Sequence, residues 1–83
     1  MSDGSITVRY FAHLSELADR DEEAIHINSF PDLETLFASL ASRYDFPYSF
    51  EHIQVAVNHE LGSHKTIVED GDVVVFLPPM TGG

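Results

Sequence analysis

Cysteine is absent from the 83 residues, which excludes disulfide staples, a thiolate nucleophile, cysteine-ligated zinc or iron–sulfur centres, and sulfur held on a side-chain thiol. Cations are scarce: 4 Lys and Arg face 14 Asp and Glu, a formal charge of −10. Nucleic acid and anionic membrane drop out as direct partners, because both draw binding energy from clustered Lys and Arg. Glycine occurs only at positions 4, 62, 71, 82 and 83, and no glycine-rich phosphate loop is formed. Apolar runs are short. The longest, Val73 to Met80, contains two prolines and falls well below the roughly 20 residues of a spanning helix. The opening residues, MSDGS, carry neither a basic n-region nor an apolar stretch of signal-peptide length, so the expected location is the cytoplasm.

What is present suits one small domain. A hydrophobic content of 43% with 11% aromatics is enough for a packed core and argues against a disordered acidic tail. A domain of this size buries only about two-thirds of its unfolded surface, which leaves little room for an enclosed active site. Five histidines, at positions 13, 26, 52, 59 and 64, are possible ligands, yet none pair at i, i+4 on a helix and no HExxH occurs. They are read as solvated surface residues, with no metal bound. No GxSxG turn frames a serine for a hydrolytic triad. The neighbouring acids Glu22-Glu23 and Glu69-Asp70 read as a solvated acidic face.

Periodicity sets the elements. Ile6, Val8 and Tyr10 alternate with Thr7, Arg9 and Phe11, which predicts a strand over Ile6 to Ala12 with one buried face. Leu14, Leu17 and Ala18 fall at helical spacing in a short helix that ends at the charged stretch Asp19 to Glu23. Ala24 to Asn28 alternates with Ile25 and Ile27 inward, a second strand returning beside the first. After Pro31, the positions Leu33, Leu36, Phe37, Leu40, Ala41 and Tyr44 form a full apolar stripe, with Asp32 as N-cap and Glu34 near the positive helix end. The helix stops before Pro47, and the aromatics of Asp45 to Glu51 pack on the domain edge. Ile53, Val55 and Val57 mark a third strand. Asn58 turns the chain toward a short segment around Lys65 to Val68, and Asp70-Gly71 turns it into a last strand, Asp72 to Leu77.

That last strand is apolar on both faces. Val74 and Phe76 serve the core, which leaves Val73, Val75 and Leu77 outward, next to Phe11 if the last strand lies beside the first. One long helix cannot cover both sides of the sheet, so the outward face is read as a docking patch for another protein. The expected fold class is α+β: a ubiquitin-like β-grasp, a mixed sheet with one long helix across one face, spanning residues 1–77. Residues 78–83 are expected to form an extended tail. Pro78 and Pro79 fix φ and remove two amide donors, so the strand cannot continue, and six residues reach about 20 Å. Gly82 and Gly83 carry no side chains and could pass a channel too narrow for other residues. A terminal carboxyl group with a pKa of about 3.3–3.7 is ionised near neutrality and needs outside activation before it can act as an acyl electrophile.

The segment VAVNHELGSHKTIVEDGDVVVFLPPMTGG, from Val55 to Gly83, resembles the C-terminal half of the small, sulfur-carrying subunit family of molybdopterin synthase. The VN turn, the DGD turn and an ending of the form F-[FL]-P-P-V-x-G-G carry the resemblance. RYFAHLSELA resembles that family's start. The Pro-Pro before Gly-Gly distinguishes it from the thiamin-pathway and tRNA-thiolation sulfur carriers, which share the fold and the Gly-Gly end. Met80 and Leu77 depart from the family's usual valine and phenylalanine, and both stay apolar.

The resemblance implies that an ATP-dependent adenylating enzyme, similar to ubiquitin activators, converts the Gly83 carboxylate to an acyl adenylate. A sulfur donor then yields a thiocarboxylate. The large synthase subunit would receive the tail and pass the sulfur to a cyclic pyranopterin monophosphate, building the molybdopterin dithiolene in two rounds. Gly83 is then the reacting residue, Gly82, Pro78 and Pro79 give passage, and Phe11, Leu61, Leu77 and Met80 dock the partner. The chain itself would bind no cofactor, and ATP would belong to the activating enzyme. The implied assembly is a heterotetramer with the large subunit, the carrier alone being a monomer. Three other readings stay open: a ubiquitin-like modifier joined through Gly83 to target lysines, a sulfur carrier for thiamin or tRNA thiolation, or a plain interaction domain with a frayed end.

Overall fold

A computed structural model describes residues 4–27, 32–62 and 64–79. In chain order the elements are β1 (Gly4–Tyr10), α1 (His13–Ala18), β2 (Glu22–Ile27), α2 (Leu33–Tyr44), a 3-10 turn (Phe50–His52), β3 (Gln54–Val57), β4 (Glu60–Leu61) and β5 (Val73–Leu77). The strands form one sheet in the order β2-β1-β5-β3-β4, with β1 parallel to β5 and the other neighbours antiparallel. The stripe Leu33, Leu36, Phe37 and Leu40 of α2 is buried together with Ile6, Val8, Tyr10, Val55, Val74 and Phe76 from the sheet. A mixed sheet with one long helix on one face is the β-grasp arrangement expected from the sequence. Among the described residues no helix is long and apolar enough to cross a membrane.

Local chemistry sets the ends of α2. The Asp32 carboxylate accepts the Thr35 amide at 2.7 Å, and these hydrogen bonds hold the Asp32 pKa below the ordinary carboxylate value. Asp45 closes the helix in the left-handed region, at φ 59, two residues before Pro47. Phe46 then folds back into the core, its ring stacked 5.8 Å from that of Phe37, while Tyr48 and Phe50 pack against the core edge. Phe37 also meets the Phe76 ring at 5.2 Å. That contact fixes the last strand, and with it the exit of the chain, against the helix.

Several boundaries differ from expectation. β1 ends at Tyr10 because Ala12 takes φ 53, and the Ala12 carbonyl turns to accept the amides of Ser15 and Glu16 at the start of α1. β2 begins at Glu22, not Ala24, since Glu22 and Glu23 already pair with Arg9 and Val8. Glu23 is no solvated acid: its side chain is 10% exposed and accepts hydrogen bonds from the Tyr10 and Tyr44 hydroxyls. Asn28, Pro31 and the side chain of Ile27 lie outside the described residues.

The short fourth strand is Glu60–Leu61, where residues 65–68 were expected to supply it. Asn58 and His59 both take positive φ, 52 and 74, so a two-residue turn folds β4 straight back onto β3. Two histidines make side-chain contacts: His13 stays exposed as expected, while His64 is half-buried and departs from the solvated reading. A ring nitrogen of His64 lies 2.7 Å from the Ile53 carbonyl, with its ring 4.3 Å from that of Phe50, and His13 Nδ1 lies 2.7 Å from the Tyr48 hydroxyl.

The turn into β5 is tied down at every residue. Asp70 accepts the Ser5 amide at 2.9 Å, Gly71 takes φ +88 where a side chain would be strained, and Asp72 accepts the Glu69 amide at 2.8 Å. Asn58 donates to Asp72 at 2.9 Å and accepts the Val73 amide at 2.9 Å. The VN and DGD sequences thus lock onto each other and place β5 between β1 and β3.

Candidate docking face and tail

Strand pairing carries the outward face across the sheet. Leu61 on β4 faces Ala56, Ala56 faces Val75, Val75 faces Arg9, and Arg9 faces Glu22, one row over all five strands. Residues directly opposite in register share a face, so this row lies opposite the core positions Val74 and Phe76. Val73, Val75 and Leu77 are half-buried, whereas Phe11 is 45% and Leu61 69% exposed. The parity expected of β5 holds, and α2 leaves this side uncovered.

At the C-terminal end of β5, Phe11, Ala12, Gln54, Leu77 and Pro78 line an apolar groove of about 260 Å³. Ala12, at φ 53, ends β1 here and lines the groove beside Phe11. Arg9 supplies a charge inside the face: its guanidinium carbon lies 6.0 Å from the centre of the Phe11 ring, and Nε lies 3.5 Å from a Glu22 oxygen. That nitrogen is buried and makes an ion-pair contact without a hydrogen bond.

Pro78 and Pro79 follow β5 without regular structure and are half-buried, and Pro78 lines the groove. Met80, Gly82 and Gly83 lie outside the described residues. Of the residues singled out by sequence, the fold brings Phe11, Leu77 and Pro78 together and places Leu61 on the same face, at the far edge. Ile67, 78% exposed, was missed; its signal was the alternation with Val68, which is buried. Among the described residues no three His, Asp or Glu gather as a metal site.

The ThiS family matches residues 8–83, nearly the whole chain, both turns and the Gly-Gly end included. The chain belongs to the ThiS family. This ThiS-family chain is 35% identical over 81 residues to the molybdopterin synthase sulfur carrier subunit of Escherichia coli (strain K12), covering 94% of this chain and 99% of that one. It is 30% identical to a chain in the complex of subunits 1 and 2 of molybdopterin-converting factor from Helicobacter pylori 26695, with a TM-score of 0.61 over 95% of this chain and 99% of that one. The small archaeal modifier protein 1 of Methanosarcina acetivorans shares the fold at a TM-score of 0.72 and 24% identity, each chain being covered in full.

Proposed function

We propose that this chain is the sulfur-carrying subunit of a molybdopterin synthase and that its reacting group is the Gly83 carboxyl. The observation that carries the reading is the family match through residue 83, with a sulfur carrier subunit 35% identical over nearly the full chain. The outward apolar face beside the exit of β5 supports it. A carrier needs a grip for its partners next to the end that reacts, and Phe11, Leu77 and Pro78 offer one.

The chemistry follows from the carboxylate. Ionised at neutral pH, it has no competent leaving group. An adenylating enzyme lets a carboxylate oxygen attack the α-phosphorus of ATP, releasing pyrophosphate and leaving an acyl adenylate. A sulfur nucleophile then displaces AMP and gives the thiocarboxylate, more nucleophilic than the original carboxylate. In the large subunit that sulfur bonds to a carbon of the cyclic pyranopterin monophosphate and displaces an oxygen substituent. Water then cleaves the resulting thioester, which returns Gly83 as a carboxylate and leaves the sulfur on the pterin, and a second charged carrier completes the dithiolene. Pro78 and Pro79 keep the tail extended, Gly82 admits it to a narrow passage, and Phe11, Leu61, Leu77 and Met80 hold the body in place. The carrier works in the cytoplasm, as the outer subunit of a tetramer with two large subunits.

Extending the chain by one alanine after Gly83 tests this. The extended protein is expected to fold with an unchanged melting temperature and to support no molybdopterin formation in a reconstituted synthase assay. Sustained product formation would refute the reading. Product mass separates the rival: a modifier would leave Gly-Gly remnants on lysines of other proteins instead of a sulfur at its own terminus.

A further inference from the structure

A second groove lies at the other end of the sheet, away from Pro78. About 480 Å³ in volume, it is lined by Val57, Leu61, Thr66 and Ile67, with Glu60 and Glu69 among its charged residues. Leu61 and Ile67, 69% and 78% exposed, are two of the three large apolar side chains that stand most open to solvent among the described residues. Both line this groove. The Gly62 amide donates to the Val55 carbonyl at 3.0 Å, and a side chain at Gly62 would come within 2.9 Å of the Thr66 hydroxyl, so the two segments approach through the glycine.

Asp72 also borders this groove, but its carboxylate is engaged by Asn58 and the Glu69 amide. Glu60 and Glu69 therefore set the charge of the wall. Residues 54–79 hold four acids and a single Lys or Arg, so the field over this end is negative. The aliphatic side chains of Leu61 and Ile67, set among carboxylates, suit an aliphatic side chain flanked by lysines or arginines. Leu61 belongs both to this groove and to the outward row through Ala56 and Val75, so one partner can cover both. A stable complex buries about 800 Å² per partner, more than the small groove beside the tail offers.

We propose that the large synthase subunit inserts a basic segment with a central aliphatic residue into the groove of Leu61 and Ile67, gripping the carrier at the end opposite its tail. This rests on the sulfur-carrier reading. The test measures association of the purified large subunit with four carriers at low and high ionic strength: wild type, the Glu60→Lys/Glu69→Lys double variant, Ile67→Ser and Leu77→Glu. All altered side chains are partly or fully exposed, and melting curves check folding.

The double variant is expected to bind about tenfold more weakly at low salt, with the gap closing toward high salt. Ile67→Ser is expected to lose about fivefold at either salt, as removal of buried aliphatic surface requires. Wild-type affinity in both, with Leu77→Glu alone impaired, overturns the second grip and leaves the docking face standing. Equal losses toward the activating enzyme overturn the assignment to the large subunit. No binding by the wild-type carrier overturns this proposal together with the function it rests on.

Discussion

Two phenols and two guanidinium groups converge on the carboxylate of Glu23. Tyr44 donates at 2.7 Å and Tyr10 donates as well, while Arg20 and Arg43 lie 3.3 Å and 3.8 Å away. Burial alone would raise the Glu23 pKa, but the tyrosine hydrogen bonds and the arginine charges outweigh it and hold the value below the ordinary one. Burial, and after it the Glu23 hydrogen bond, pushes the Tyr10 hydroxyl upward. A carboxylate whose pKa is lower folded than unfolded contributes stability in full above its unfolded value of about 4.3, and loses it as the pH falls through the folded value. Urea unfolding should therefore show a midpoint that drops on acidification below about pH 5, and Glu23→Gln should flatten that slope. At neutral pH Glu23→Ala should cost about 2–3 kcal/mol, because the buried Tyr10 hydroxyl loses its acceptor. Local reading of the sequence could not find this group. Tyr44 sits 21 residues from Glu23, and nothing in a pair of adjacent acids says that one of them turns inward.

Helix α2 and the β3–β4 turn carry the element-scale expectations. Asp32→Ala removes the hydrogen bond to the Thr35 amide and should lower stability by about 1 kcal/mol in denaturant titration. His59 holds φ 74 without being glycine, beside an Asn58 that shares the positive region. His59→Gly should raise stability by about 0.5–1 kcal/mol, as relief of left-handed strain exceeds the entropy glycine loses on folding. Both strand parities, the apolar stripe of α2 and its cap were legible because burial repeats every two or about 3.6 residues. The two-residue strand Glu60–Leu61 was not. Its length offers no period, and its position is fixed by backbone twist at Asn58 and by the Gly62 bond to Val55. The early start of β2 escaped for another reason: its first residues are acids, which local propensity assigns to a turn.

At the scale of the whole molecule, a charge of −10 opposes self-association, while one apolar face of the sheet is left uncovered by α2. Leu77→Glu should reduce affinity for the large subunit at least about tenfold in a binding titration, with a melting temperature close to wild type. The face was legible in advance, since a strand apolar on both sides needs two covers and the chain holds one long helix. The groove of Leu61 and Ile67 was not, because it joins β4 to a loop that no periodicity describes. Intact mass of the protein purified from its own cells tests the central claim most directly. The account predicts a chain that ends at Gly83, part of it heavier by the difference between one sulfur and one oxygen. A chain that runs on past Gly83 untrimmed, or one found only as a free carboxylate and as Gly-Gly remnants on lysines, would contradict it.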